Sequence, residues 1–261
     1  MADQADDKRP HFVLTNKVKN VIGSEAMTYS KTVLCLANSR KPPSGRCVAG
    51  KELSADGYGA WIRPVSNRNS REISEEERRY EDGRTAQVLD VVELLFLQPI
   101  PIDHQTENHL IDADYYWVKS RIATWEDVIA AADSIDGPLW INGYSTYLGY
   151  NDKIPEDQAG QLDSSLTLLR LPTLTIQVEV ESGYAGQPGR RRVRARFDLA
   201  GHHYSMVVTD PIVEAHYFAG KNGNYILQDT IICVSLSEPI YGHVHKLAAA
   251  VITEERCKSV S

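Results

Sequence analysis

Between Lys31 and Ile252 short apolar runs alternate with turn residues, and helical periodicity is rare. "KTVLCLA", Lys31–Ala37, is a nearly continuous apolar run rich in β-formers, which predicts a buried strand. "YGAWIRPVS", Tyr58–Ser66, predicts a second strand ended by Pro64. "QVLDVVELLFLQPI", Gln87–Ile100, reads as a long strand stopped by two prolines. A second β region opens near Ser165. There "LTLLRLPTLTIQVEVE" ends in clean alternation, with Leu174, Ile176, Val178 and Val180 on one face. "RRRVRARFDL" alternates again, with Val193, Ala195, Phe197 and Leu199 opposite Arg190, Arg192, Arg194 and Arg196. "GHHYSMVVTDP", "YILQDTIICVSLSEP" and "HKLAAAVI" complete four or five strands. The clearest helix is "TWEDVIAAAD", Thr124–Asp133, with a Thr N-cap and acids in its first turn. "EISEEERRYED" predicts a polar surface turn of helix capped by Ser74.

Short strands parted by turns argue for small barrels or sandwiches rather than βαβ units. Two β-rich halves meet near residues 150–165, where "GYNDKIPEDQAGQLD" has the polar, Pro- and Gly-bearing look of a connector. No repeat shows by direct identity. Residues 1–26 differ from the rest and are expected to be weakly ordered, either as an extension or as residues preceding a start at Met27.

Composition narrows the class. An apolar fraction of 42% supports a real core, and no apolar run approaches the roughly 18 residues of a membrane helix. The N-terminus has no secretory pattern, so the expected location is cytoplasmic, and Cys35, Cys47, Cys233 and Cys257 read as reduced thiols. The net charge of -7 weighs against a strong non-specific DNA binder. From Leu166 onward, however, the chain is close to neutral, and the acidity lies almost wholly before it.

Most catalytic and cofactor signatures are missing. There is no phosphate-binding glycine loop and no nucleophile elbow. His243 and His245 would share a strand face, but no further ligand has an obvious spacing, so no metal and no cofactor is expected. Asp210 follows a strand, where it either orients a ligand or begins a turn with Thr209 and Pro211. The cations are more informative. From Asn38 to Arg71 they include Arg40, Lys41, Arg46, Lys51 and Arg63, opposed only by Glu52 and Asp56. "GRRRVRARF" carries five arginines and no acid, and alternate arginines on a strand stand about 7 Å apart, near a phosphate spacing. Tyr184, His202, His203 and Tyr204 lie close enough in sequence to supply stacking surfaces.

"KTVLCLANSRKPPSGRCVAGKEL" followed by "GAWIRPVS" resembles the start of the bacterial dual OB-containing domain family. The segments "VRARF", "YSMVVTDP" and "YILQDTIICVSLSEPIYGHVHKLAAAVI" resemble its second half. The resemblance covers about residues 28–252. It implies a mainly β protein with minor α, built as two tandem OB-like β-barrels, here a first over 28–160 with helical insertions and a second over 165–256; the extension over 1–27 lies outside the resemblance. It also implies a role in nucleic-acid binding, by analogy of fold.

Three readings stay open. The first is a non-catalytic protein binding single-stranded DNA or RNA. The second is a sensor of a small anionic ligand such as a nucleotide, held between the barrels. The third is a scaffold for a protein partner. For the first two, the candidate contacts are Asn38, Arg40, Lys41, Arg46, Lys51, Arg63, Arg190, Arg192, Arg194, Arg196, Tyr204 and Asp210.

Overall fold

The computed structural model describes Arg9 and residues 28–182 and 188–260. The expected extension over 1–27, Arg9 apart, and Tyr184 lie outside the described residues.

The first half builds six strands: β1 (Tyr29–Lys41), β2 (Gly45–Ser54), β3 (Gly57–Val65), β4 (Asp90–Pro99), β5 (Asn108–Ile111) and β6 (Val118–Ile122). Five of them close into a ring in the order β1-β2-β3-β5-β4-β1, with β3 and β5 parallel and β6 added outside β4. This is the five-stranded Greek-key barrel expected of an OB-fold. Pro64 does not end β3. Arg63, Pro64 and Val65 pair with Asn108, His109 and Leu110 of β5, and Pro64 occupies a position that the ladder tolerates. Gly50 is required where β2 crosses β1, because a Cβ there would lie 2.0 Å from the Leu34 carbonyl oxygen.

Helix α1 (Trp125–Ala131) follows, closed by the reciprocal capping box of Thr124 and Asp127. The residues expected to form a plain connector instead carry β7 (Lys153–Pro155) and α2 (Glu156–Ala159).

The second half repeats the first topology without repeating its sequence. Its strands are β8 (Leu166–Glu181), β9 (Arg190–Leu199), β10 (His202–Val207), β11 (Gly223–Leu236) and β12 (His243–Ile252). They pair as β10-β9-β8-β11-β12, and a parallel bridge from Val208 to Ala248 joins the two ends. The seam between β10 and β12 is filled by the chain before β8. Tyr150 pairs with Ser205, and β7 pairs with His243–His245. Ala200 and Gly201 both take positive φ, which makes the tight turn between β9 and β10. Helices α3 (Pro211–Ala219) and α4 (Glu254–Val260) complete the half.

Four apolar clusters result, and three of them form the barrel cores and the junction between the barrels. Val33, Cys35, Val48, Ile62, Val92 and Phe96 fill the first barrel. Leu174, Ile176, Val178, Val193, Phe197 and Met206 fill the second. Between the barrels, Leu34, Leu36 and Ala49 meet Leu168, Cys233, Ala250 and Ile252, with α1 and α4 contributing Val128 and Cys257. The unbroken run in β1 now has its reason. Val33 and Cys35 point into the barrel while Leu34 and Leu36 point at the other one, so the strand is buried on both faces. Val180, placed with the inner face by its alternation, is 59% exposed because β8 there has run past the barrel. The polar stretch around Ser74 is not all surface either: Ile73, Arg78 and Tyr80 are buried.

Candidate functional site

In five-stranded barrels of this kind, ligands usually lie across the second and third strands and the flanking loops. On the first barrel that face is covered by the second. Lys51 pairs with Asp133, whose other oxygen accepts from Leu168 N (2.8 Å) and Trp61 Nε1 (3.4 Å). Arg63 is buried, pairs with Glu107 at 3.0 Å and donates to Ser165 Oγ at 2.6 Å and Cys47 Sγ at 3.1 Å. Both cations are buried, so expecting them in a ligand groove is corrected: they join the barrels.

The loop cations carry the same burden. Lys41 pairs with Glu238 across the barrels at 2.7 Å, and Arg46 pairs with Glu75 at 3.3 Å. Arg40 pairs with Glu214 of α3, and its amide donates to Thr209 O at 3.2 Å. Asn38 is buried and donates through Nδ2 to Ala86 O at 2.9 Å. Asp210 is also buried. It caps α3 by accepting from Ile212 N at 3.1 Å, and it holds Arg256 at 2.5 Å. Its role here is a helix cap and ion-pair partner.

The corresponding face of the second barrel, β8 to β10, is open. The arginines alternate as expected, but their environments differ. Arg194 is buried between Glu181 and Asp152, the latter at 3.7 Å. Arg192 is half-buried and 3.9 Å from Glu181, and burial lowers its pKa. Arg190 and Arg196 are exposed, and neither has an ion-pair partner among the described residues. Arg191 points the other way and donates to Phe218 O and Gly220 O, each at 2.7 Å, closing the C-terminus of α3.

Arg196 borders an open cleft of about 740 Å³ lined also by Tyr150, Thr173, Thr175, His203 and Asn224. Tyr150 is 54% exposed and stands edge-on to His203, with ring centroids 6.3 Å apart. His203 is held by Asp198. Tyr204, expected as a stacking surface, is buried. Its ring stacks on Phe197 at 5.2 Å, and its hydroxyl accepts from Leu139 N at 2.9 Å. Its strand neighbour His203 takes the outward position because side chains alternate.

At the far end of β9 the two basic clusters of the sequence converge. Burial raises the pKa of Glu214, and the charges of Arg40, Arg192 and Arg190 oppose that rise. Arg40 from β1 pairs with this carboxylate, and the charges of Arg192 and Arg190 on β9 also act on it. Sequence reasoning did not find Tyr150 or Glu214, since a tyrosine in a polar connector and a glutamate in a short helix carry no distinguishing pattern.

A family model described as dual OB-containing domain matches residues 31–251. The chain belongs to this family. No curated protein and no solved structure matches it. The match runs from within β1 to within β12, so nearly all of both barrels of the dual OB-containing domain lies within it. Among the described residues, no three His, Cys, Asp or Glu side chains come together as a metal site, and no helix is long and apolar enough to cross a membrane.

Proposed function

We propose that this dual OB-containing domain protein is a non-catalytic binder of single-stranded nucleic acid, and that the strand lies on the outer face of β8–β10. One observation carries the reading: two exposed arginines with no ion-pair partner among the described residues, Arg190 and Arg196, stand on one strand face, and Arg196 borders a cleft with the exposed ring of Tyr150. Guanidinium groups hold phosphates, and an exposed aromatic ring offers a base a stacking partner. Arg194 plays a supporting part, since it is buried and held between Glu181 and Asp152.

The test is fluorescence anisotropy with labelled single-stranded DNA and RNA across a salt series. The wild type binds, and the affinity falls with salt. The double variant Arg190→Gln/Arg196→Gln lowers the slope of log affinity against log salt by about 1.4, at about 0.7 per lost phosphate contact. Tyr150→Ala weakens binding by about 1–3 kcal/mol without changing that slope. The recovered strand is intact on a gel. Failure to bind either strand at low salt, or equal binding by the double variant, refutes the proposal.

A further inference from the structure

Between the barrels, away from the β8–β10 face, lies a cavity of about 70 Å³. Asn38, Arg46, Arg78, Asp210, Ile212 and Arg256 line it. It joins β1 of the first barrel to the start of α3 in the second. Three guanidinium groups meet there, and two carboxylates answer them. Glu75 is shared by Arg46 and Arg78, while Asp210 is engaged by Arg256 and by the α3 cap. Three cations thus face two carboxylates among the described residues, with Arg78 buried and Arg46 and Glu75 partly exposed, and a cation short of a partner in such a place is costly.

Two buried polar atoms of residues that line this cavity also have no hydrogen-bond partner among the described residues. Arg78 is 3% exposed and uses Nη1 on Ala86 O and Nη2 on Glu75, but its Nε–H donates to nothing. Asn38 is 8% exposed and uses Nδ2 on Ala86 O, but its Oδ1 accepts from nothing. Burial lowers the pKa of Arg78, Glu75 opposes that and Arg46 adds to it, so an added negative charge would relieve the group.

We infer that this cavity is a binding site for a small tetrahedral oxoanion, phosphate in its singly protonated form. About two waters would fill the same space and satisfy both orphaned atoms, but they would leave the excess charge unanswered. A phosphate satisfies both atoms and also brings negative charge to the three guanidinium groups. Its bare oxygens accept from Arg78 Nε–H and the neighbouring guanidinium groups, and its P–OH donates to Asn38 Oδ1. Sulfate carries no proton at neutral pH and would set an oxygen against Asn38 Oδ1, so the site prefers phosphate. The phosphate is either the free ion or the terminal group of a nucleotide chain.

Isothermal titration with inorganic phosphate and with sulfate, at constant ionic strength, tests this. The expected result is saturable one-to-one phosphate binding, with sulfate weaker by about tenfold or more. Ile212→Asp places a carboxylate at the half-exposed mouth of the cavity. An acid is favourable in the first turn of α3, so the variant folds, and its phosphate affinity falls by about tenfold or more. Arg46→Gln lowers the affinity from the other side. Displacement of phosphate by a 5′-phosphorylated oligonucleotide, but not by its 5′-hydroxyl form, identifies a chain end as the source. Displacement by neither identifies the free ion. The Arg190, Arg196 and Tyr150 variants keep their phosphate binding, which separates this site from the β8–β10 face. No saturable heat with phosphate, equal affinities for phosphate and sulfate, or unchanged binding in Ile212→Asp overturns the inference.

Discussion

Replacing Arg63 by alanine separates a structural role from a ligand contact. The side chain is 3% exposed and joins Glu107, 6% exposed, to Ser165 of the other barrel. Removing it leaves the Glu107 carboxylate buried with no cation, held only by the Ser165 hydroxyl and amide and the Thr106 hydroxyl. Breaking a buried pair from one side costs about 3–5 kcal/mol, a large part of the roughly 5–15 kcal/mol that holds a typical domain folded. For a chain of this size that corresponds to a fall in Tm of about 6–20 °C. Thermal unfolding followed by circular dichroism measures it. The double variant Arg63→Met/Glu107→Met removes both charges and fills the space with apolar groups, so it recovers much of the loss. Nucleic-acid affinity, measured below the melting range, stays at the wild-type value in the single variant. If Arg63→Ala melts like the wild type but loses strand binding, Arg63 is a ligand contact, and the covered face of the first barrel is not covered in solution.

Two other measurements probe the interior. Lys246 is buried and donates to Ile141 O at 2.8 Å and Asn142 Oδ1 at 2.9 Å. Burial, opposed by Asp152, lowers its pKa from 10.5 to about 7. Between these values the unfolded chain binds the proton that the folded chain releases. Stability therefore rises with pH across that window, by up to about 1.4 kcal/mol per unit from this group. Urea unfolding between pH 7 and 10 detects the rise, and Lys246→Met removes it; an unchanged slope in the variant refutes the assignment. Burial also pushes up the pKa of the Cys35 and Cys233 thiols and raises that of Cys257 to about 11, whereas Cys47 alone is partly exposed. In the native protein a maleimide labels Cys47 first, and Cys35 labelling at the same rate contradicts the packing of the first barrel.

The local text of the chain decided which segments are strands, because period-two alternation and turn residues act over a few positions. Val193, Ala195 and Phe197 face inward, and Arg190, Arg192, Arg194 and Arg196 outward, as that alternation requires. Thr124 caps α1 for a similarly local reason. The same text contained the doubly buried run of β1, but not what would cover its second face. Which cations remain free was decided only by tertiary structure. Arg40 finds Glu214 across 174 positions, and Arg63 finds Ser165 across 102. Tyr204 and His203 are adjacent in sequence, yet one is packed against Phe197 and the other stands at the cleft. A charge or a ring is available to a ligand only if no partner reaches it first, and some of those partners, such as Glu214 for Arg40 and Ser165 for Arg63, arrive from the other barrel.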